Sequence, residues 1–113
     1  MDNVKTDSYY TEKAIGEIDA IAKYTEKARF YDDFVSDPVL VDAVLFRLIQ
    51  LIEYLKNISD EFKKNHREIP WGQIVGFRNG LVHDYGDTDY RIVFEIVDRD
   101  IYELKKALQK SLR

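Results

Sequence analysis

The chain has 113 residues, 45% hydrophobic and 34% charged, as expected for one folded domain with a single core rather than a disordered segment. It has no cysteine, which excludes disulfide bonds, thiolate catalysis and cysteine-bound zinc. Its net charge of −4 argues against general affinity for nucleic acid. A protein with this charge could act on RNA only through a locally positive cleft. Residues 1–5 lack a signal core, and no apolar run approaches membrane-spanning length, so we expect a single cytoplasmic domain over 1–113 without membrane contact.

The apolar pattern predicts an antiparallel four-helix bundle of the all-α class. The first helix is expected from about Ser8 to Phe30, capped by Asp7 or Ser8. Residues 31–37 then form a turn that could hold a short helical piece. The stripe that would face the core in the first helix has alternating spacings of four and three: Ala14, Ile18, Ile21, Thr25 and Ala28.

The second helix is predicted from Pro38 to about Asn65, with Asp37 as its N-cap. Two apolar stripes run along it, which indicates burial on two sides or a contact between subunits. The first stripe repeats at alternating spacings of three and four: Val41, Val44, Leu48, Leu51, Leu55, Ile58 and Phe62. The second stripe lies beside it: Leu40, Leu45, Ile49 and Ile52.

A charged loop is expected over 63–68, with His66 solvated and without a functional role. The third helix should run from Pro70 to Gly86, and its internal Gly76 and Gly80 indicate close helix packing or backbone access near a site. Asp87 or Thr88 should cap a fourth helix over 89–112. Its apolar stripe is Val93, Val97, Ile101, Leu104, Leu108 and Leu112, flanked by Ile92 and Ile96.

The third helix carries the most informative segment, which places an arginine, an amide, an imidazole and a phenol within eight residues. Arg78 and Tyr85 are seven apart and share a helix face, while Asn79 and His83 are four apart and share the adjacent face. Leu81 and Val82 can anchor the helix in the core. An arginine and a histidine held together can bind a phosphate and move a proton beside it, which suffices for metal-independent cleavage of RNA.

Other interpretations of these side chains are weaker. Arg78 and His83 could be ordinary surface residues, because an arginine followed by a histidine five residues later is a loose pattern. A metal site that joins His83 to Glu53, Asp60 and Glu61 matches no known ligand spacing, so we expect no metal and no cofactor.

The segments 69–71 and 74–85 resemble the HepT-like branch of the HEPN superfamily, whose signature is Arg, four residues, His, one residue, Tyr. Residues 42–48 and Glu53 are similar to that family's second helix. The resemblance implies an all-helical homodimer whose two motifs face a shared cleft, to which Arg47 and Glu53 could contribute. One departure is Ile52, where members of the family often have glycine.

Carried over by residue, the resemblance implies that Arg78 and His83 are catalytic, with Asn79 in support. It also implies an RNA substrate and a partner antitoxin, a nucleotidyltransferase of the MntA type that transfers AMP onto the tyrosine of the motif, here Tyr85. Two functions from different classes stay open: a metal-independent endoribonuclease toxin, and a non-catalytic nucleotide- or protein-binding module of the same fold. A third, a purely structural bundle, requires that His83 be buried and bonded to backbone.

Overall fold

The computed structural model describes residues 5–83 and 88–112, and for residues 78–80, 82 and 83 it describes the backbone alone. The described chain is all-helical, as predicted. Its helices are α1 Asp7–Tyr24, α2 Tyr31–Val35, α3 Pro38–Lys56, α4 Asp60–Asn65, α5 Trp71–His83, α6 Tyr90–Glu95, a π-helical segment Ile96–Asp100, and α7 Ile101–Ser111.

The first two long helices, α1 and α3, pack along each other in opposite directions. The antiparallel arrangement follows from cross-helix contacts near both ends of α1. Asp7 at its start accepts hydrogen bonds from Ser59 beyond the end of α3, while Tyr24 at its end meets Arg47 inside α3. The N-cap of α1 is Thr6, whose hydroxyl accepts from the Tyr9 N–H at 3.1 Å, so the prediction of Asp7 or Ser8 as the cap was wrong.

The predicted end of α1 at Phe30 was also wrong, because the helix stops six residues earlier, at Tyr24. Beyond that point the chain turns through 25–27, and the Ala28 N–H donates to the Thr25 carbonyl. The short helical piece expected after the turn is α2. It contributes Phe34, which is completely buried and packs against Phe94 with ring centroids 5.8 Å apart.

Helix α3 begins as predicted, because Asp37 accepts a hydrogen bond from the Leu40 N–H at 3.1 Å and Pro38 occupies the first turn. It does not continue to Asn65. The chain breaks over 57–59, and Ser59 caps the separate helix α4 by accepting from the Phe62 N–H at 3.1 Å. The apolar periodicity spans this break because Ile58 in the break is still buried.

Both stripes of α3 are used largely inside one protomer. From the second stripe, Leu45 and Ile52 are buried, while Leu40 and Ile49 are half-buried against the same core. The stripe therefore does not itself require a partner subunit. The exposed apolar side chains of α3 are instead Val39 and Phe46, which are 78% and 56% exposed.

The predicted fourth helix consists of α6, the π-helical segment and α7. Its cap is Asp89, whose carboxylate accepts from the N–H groups of Arg91 and Ile92, rather than Asp87 or Thr88. Buried Val93, Val97 and Ile101 follow one another at spacings of four, which would drift around a regular α-helix. The wider π turn absorbs the extra residue and keeps all three on the core side.

The packing order of the helices leaves one side of the bundle open. Helix α3 packs on both α1 and α5, and α7 packs on α1, where the Lys105 ammonium lies 2.6 Å from the Asp19 carboxylate. A groove therefore lies between α5 and α7. None of the helices in the described ranges is long and apolar enough to cross a membrane.

Candidate functional site

Helix α5 carries three of the four predicted site residues. Arg78, Asn79 and His83 all belong to its backbone, and their side chains lie outside the described part of the structure. Tyr85, together with the predicted end of the helix at Gly86, lies in the 84–87 segment outside the described residues. Within a helix, positions 78 and 83 are separated by about 7.5 Å along the axis. One rigid element thus holds the backbone of the arginine and the histidine at a fixed spacing.

The start of α5 is fixed by an aromatic cluster that sequence reasoning missed. The Trp71 indole N–H donates to the His66 carbonyl at 3.0 Å, and the His66 ring stacks on Phe62 with centroids 4.0 Å apart. Ile69, between these residues, is buried. The sequence did carry a signal for this cluster, because Phe62, Ile69 and Trp71 lie on either side of the charged residues 63–68. The prediction of a solvated loop considered only those charges. The cluster fixes where α5 begins, and thereby where the motif lies.

The predicted state of His66 was wrong. This residue is half-buried at the C-terminus of α4, and its Nδ1 lies 2.9 Å from the Phe62 carbonyl oxygen. A carbonyl only accepts hydrogen bonds, so Nδ1 must carry the proton in this contact. The helix also extends through Asn65, three residues into the segment expected to be a loop. His66 thus joins the end of α4 to the start of α5.

The rest of α5 is held by apolar side chains that face α3. Ile74 and Phe77 are half-buried against the core, and Leu81 is buried, which confirms its predicted role as an anchor. The side chain of Val82, the other predicted anchor, lies outside the described part. Apolar side chains thus attach helix α5 to the core both before and after Arg78 in the sequence.

Gly76 does not serve close helix packing, contrary to one of the two predicted uses. A Cβ built at this position meets nothing within 4 Å, and the residue is exposed. The surroundings of Gly80 lie outside the description. Backbone access near the motif is the use that stays open for Gly76.

Arg47, predicted as a contributor to the cleft, is part of a polar network between α1 and α3. One guanidinium nitrogen donates to both carboxylate oxygens of Glu17 at 3.3 Å, and two others donate to the Tyr24 hydroxyl at 3.1 and 3.3 Å. Glu17 is buried, so this ion pair compensates a carboxylate inside the α1–α3 contact. The hydrogen bonds that Arg47 donates to Tyr24 and Glu17 raise its pKa above its already high usual value.

The second predicted cleft residue, Glu53, lies on α3 and is half-buried, with one carboxylate oxygen shielded from solvent. Its backbone carbonyl accepts from the Asn57 side-chain amide at 2.8 Å, which helps end α3. Seven residues before it on α3, and so on the same helix face, lies exposed Phe46. Within the described residues, no three His, Asp or Glu side chains are grouped so that they could hold a metal ion.

Comparison of the sequence with known proteins identifies a family. The profile described as "Ribonuclease HepT-like" matches residues 14–111, from the middle of α1 to the end of α7. The chain belongs to the HepT-like ribonuclease family. The match includes all of α5, so the arginine and histidine positions lie within the shared region.

Individual relatives agree with this assignment. A candidate RNase of Caldanaerobacter subterraneus subsp. tengcongensis is 34% identical over 110 residues, 97% of each chain. A protein of Thermococcus cleftensis, named as a candidate ribonuclease HepT, is 35% identical over 101 residues, 89% of this chain and 91% of its own. No solved structure gave a significant match.

Proposed function

We propose that this HepT-like chain is a metal-independent endoribonuclease and acts as a cytoplasmic toxin. The observation that carries the proposal is the Arg78 and His83 pair on the single helix α5, inside the region that matches the ribonuclease family. The names of the relatives, which describe candidate RNases, point the same way.

The proposed chemistry needs only groups of the chain and of RNA. His83 takes the proton from a ribose 2′-hydroxyl or gives one to the leaving 5′-oxygen. The 2′-oxygen forms a bond to phosphorus as the bond to the 5′-oxygen breaks, which leaves a 2′,3′-cyclic phosphate and a 5′-hydroxyl. Arg78 stabilises the negative charge that builds on the phosphoryl oxygens, and Asn79 orients the phosphate or the imidazole.

Cleavage should therefore persist in excess EDTA. Single-stranded RNA would be incubated with the wild-type chain, with Arg78→Ala and with His83→Ala, and the product ends would be analysed by mass spectrometry. Arg67→Ala is the matched control, because this exposed arginine precedes α5 and belongs to no proposed site. Activity that disappears in EDTA and returns with magnesium would contradict the mechanism.

The two site variants must also keep their fold for this test to count. The proposed roles require Arg78 and His83 to face solvent, and exposed polar side chains contribute little to stability. Helicity and thermal midpoint should therefore change little in both variants. If both variants unfold, these residues are structural and the catalytic assignment fails. If both fold and the wild-type chain cleaves no RNA, the non-catalytic binding module is the better description, and the net charge of −4 favours it.

Control is proposed to act through Tyr85 and a nucleotidyltransferase antitoxin of the MntA type. AMP attached to the tyrosine hydroxyl would add a phosphodiester charge beside Arg78 and fill the space that RNA must enter. Tyr85→Phe should keep cleavage and escape silencing. Tyr102→Phe, a change at an exposed tyrosine of α7, is the matched control. The measurement is the intact mass of the chain after co-expression with the nucleotidyltransferase. A chain that has lost its ribonuclease activity but carries no added AMP would refute this route.

The proposal includes a homodimer that uses the outer face of α3. Phe46 and Val39 are seven residues apart, share that face and are exposed, which is costly for two large apolar side chains in a monomer. Light scattering of the wild-type chain should give twice the monomer mass, and Phe46→Glu should give the monomer mass. A monomeric wild-type chain at micromolar concentration would refute the dimer.

A further inference from the structure

An open groove lies between α5 and α7, and the proposed chemistry assigns it no role. Its volume is about 670 Å³. Its floor is apolar and comes from α3, through Leu48 and Ile52. One wall is the first half of α5, with Ile74 and Phe77, and the other runs from Ile96 to Ala107. Such a shape, two helices parted above an apolar floor, has room for a further helix.

The charged side chains among the described residues of the rim are carboxylates. Among the described residues that line it, three carry carboxylates, Glu68, Asp100 and Glu103, and none is a lysine, arginine or histidine. Two of them have a cation nearby, since Arg99 lies 3.6 Å from Asp100 and Lys106 lies 3.7 Å from Glu103. Both pairs are largely exposed, so water and salt screen them strongly. The described part of the groove therefore combines half-buried apolar side chains on its walls, above a buried apolar floor, with carboxylates at its rim.

The dimensions suit a short helix. The wall from Ile96 to Ala107 is about 16 Å long at the rise of a regular helix. Roughly three turns of a docked helix would cover that length, and its large apolar side chains would enter between α5 and α7. The π-helical segment matters here because it contributes both Ile96 to the wall and Asp100 to the rim.

The charge pattern selects the occupant. A two-fold contact between two copies of this chain would set the same patch against itself, and the acidic rims would face each other. Like charges opposed in this way disfavour the contact. We propose that the groove binds an amphipathic helix of a different protein, one with a row of large apolar residues flanked by lysine or arginine. This surface is separate from the outer face of α3 and does not depend on RNA cleavage.

A pair of synthetic peptides tests the proposal. Both would be alanine-rich helices of about 15 residues with leucines on one face at spacings of three and four. One has lysines beside the leucine row, and the other has glutamates at the same positions. Fluorescence anisotropy of each labelled peptide would be followed as the full chain is added. The basic peptide should bind more tightly by about tenfold or more, and added salt should reduce the difference.

Protein variants assign the binding to the groove. The double variant Asp100→Lys with Glu103→Lys should weaken the basic peptide by about tenfold and favour the acidic one. The matched control is Glu12→Lys with Glu26→Lys, which replaces two exposed glutamates of the α1 region and changes the net charge equally. Ala107→Trp should block both peptides by filling the groove, and circular dichroism checks that every variant is folded.

Several results would overturn the proposal. The two peptides could bind equally, the two charge-reversed doubles could lose affinity equally, or neither peptide could bind at sub-millimolar concentration. A fourth is displacement of a second copy: if the rim double or the peptide halves the mass seen by light scattering, the occupant is another copy of this chain. The proposal predicts that only the double variant Asp100→Lys with Glu103→Lys loses affinity for the basic peptide, and that the mass from light scattering stays unchanged.

Discussion

Replacing Gly76 by alanine should stabilise the protein. Gly76 is exposed inside α5, and an added Cβ meets nothing within 4 Å, so the substitution introduces no clash. Glycine inside a helix costs about 0.8–1.0 kcal/mol relative to alanine, because its backbone loses more freedom on folding. The expected gain is therefore about 1 kcal/mol in the free energy of unfolding, or about 4 °C in Tm for a chain of this size.

The assay is urea denaturation followed by circular dichroism, with the midpoint and the slope fitted for each variant. Gly16→Ala is the matched control, because Gly16 is also an exposed glycine inside a helix with nothing within 4 Å of an added Cβ. Both variants should shift the midpoint upward with unchanged slopes. If Gly16→Ala stabilises and Gly76→Ala does not, the surface of α5 at position 76 is covered or non-helical in solution, and the reasoning fails.

The same variant tests the remaining use of Gly76. A helix surface without a side chain lets RNA approach the backbone close to Arg78. If Gly76→Ala is more stable but cleaves RNA much more slowly, while Gly16→Ala keeps full activity, the glycine serves backbone access at a cost in stability. Full activity in both variants would show that substrate does not approach this part of α5.

Three further substitutions test how the scaffold is held. Phe34→Ala should cost about 3–5 kcal/mol because Phe34 is completely buried, whereas Phe30→Ala, at a residue 72% exposed, should change stability by less than about 0.5 kcal/mol. Ser59→Ala should cost about 1–2 kcal/mol in thermal unfolding, since its hydroxyl caps α4 and donates to Asp7 at 2.7 Å. Trp71→Phe should cost about 1 kcal/mol through the lost bond to the His66 carbonyl, and no loss would show that this contact does not hold α5.

Local rules explain the parts of the fold that were predicted correctly. The α-helical period of the apolar residues, with Asp37 before Pro38, was enough to identify α3 and its first residue. The spacing of Arg78, His83 and Tyr85 in the sequence also indicated the family, because a short motif needs no long-range contact to be recognised.

Both ends of α1 and the C-terminal end of α3 were predicted wrongly, because the apolar period and the residue types do not show which contacts form at these ends. Asp7 was expected to cap its own helix, but its carboxylate binds Ser59, which is 52 residues away along the chain. The apolar period ran on through Ile58, which stays buried even though α3 has already ended. Periodicity reports which side chains are buried, and it does not report whether the backbone between them is unbroken.

Burial and pairing were likewise decided in three dimensions. The pattern showed that α3 has two apolar stripes, but only the packed structure shows that Leu45 and Ile52 are covered within one protomer. His66 in a charged segment gave no sign of its stack on Phe62, and Glu17 gave none of its pair with Arg47. The residue types and their helical spacing are properties of the chain alone, whereas burial depends on which helices become neighbours, and that choice is made by the whole core at once.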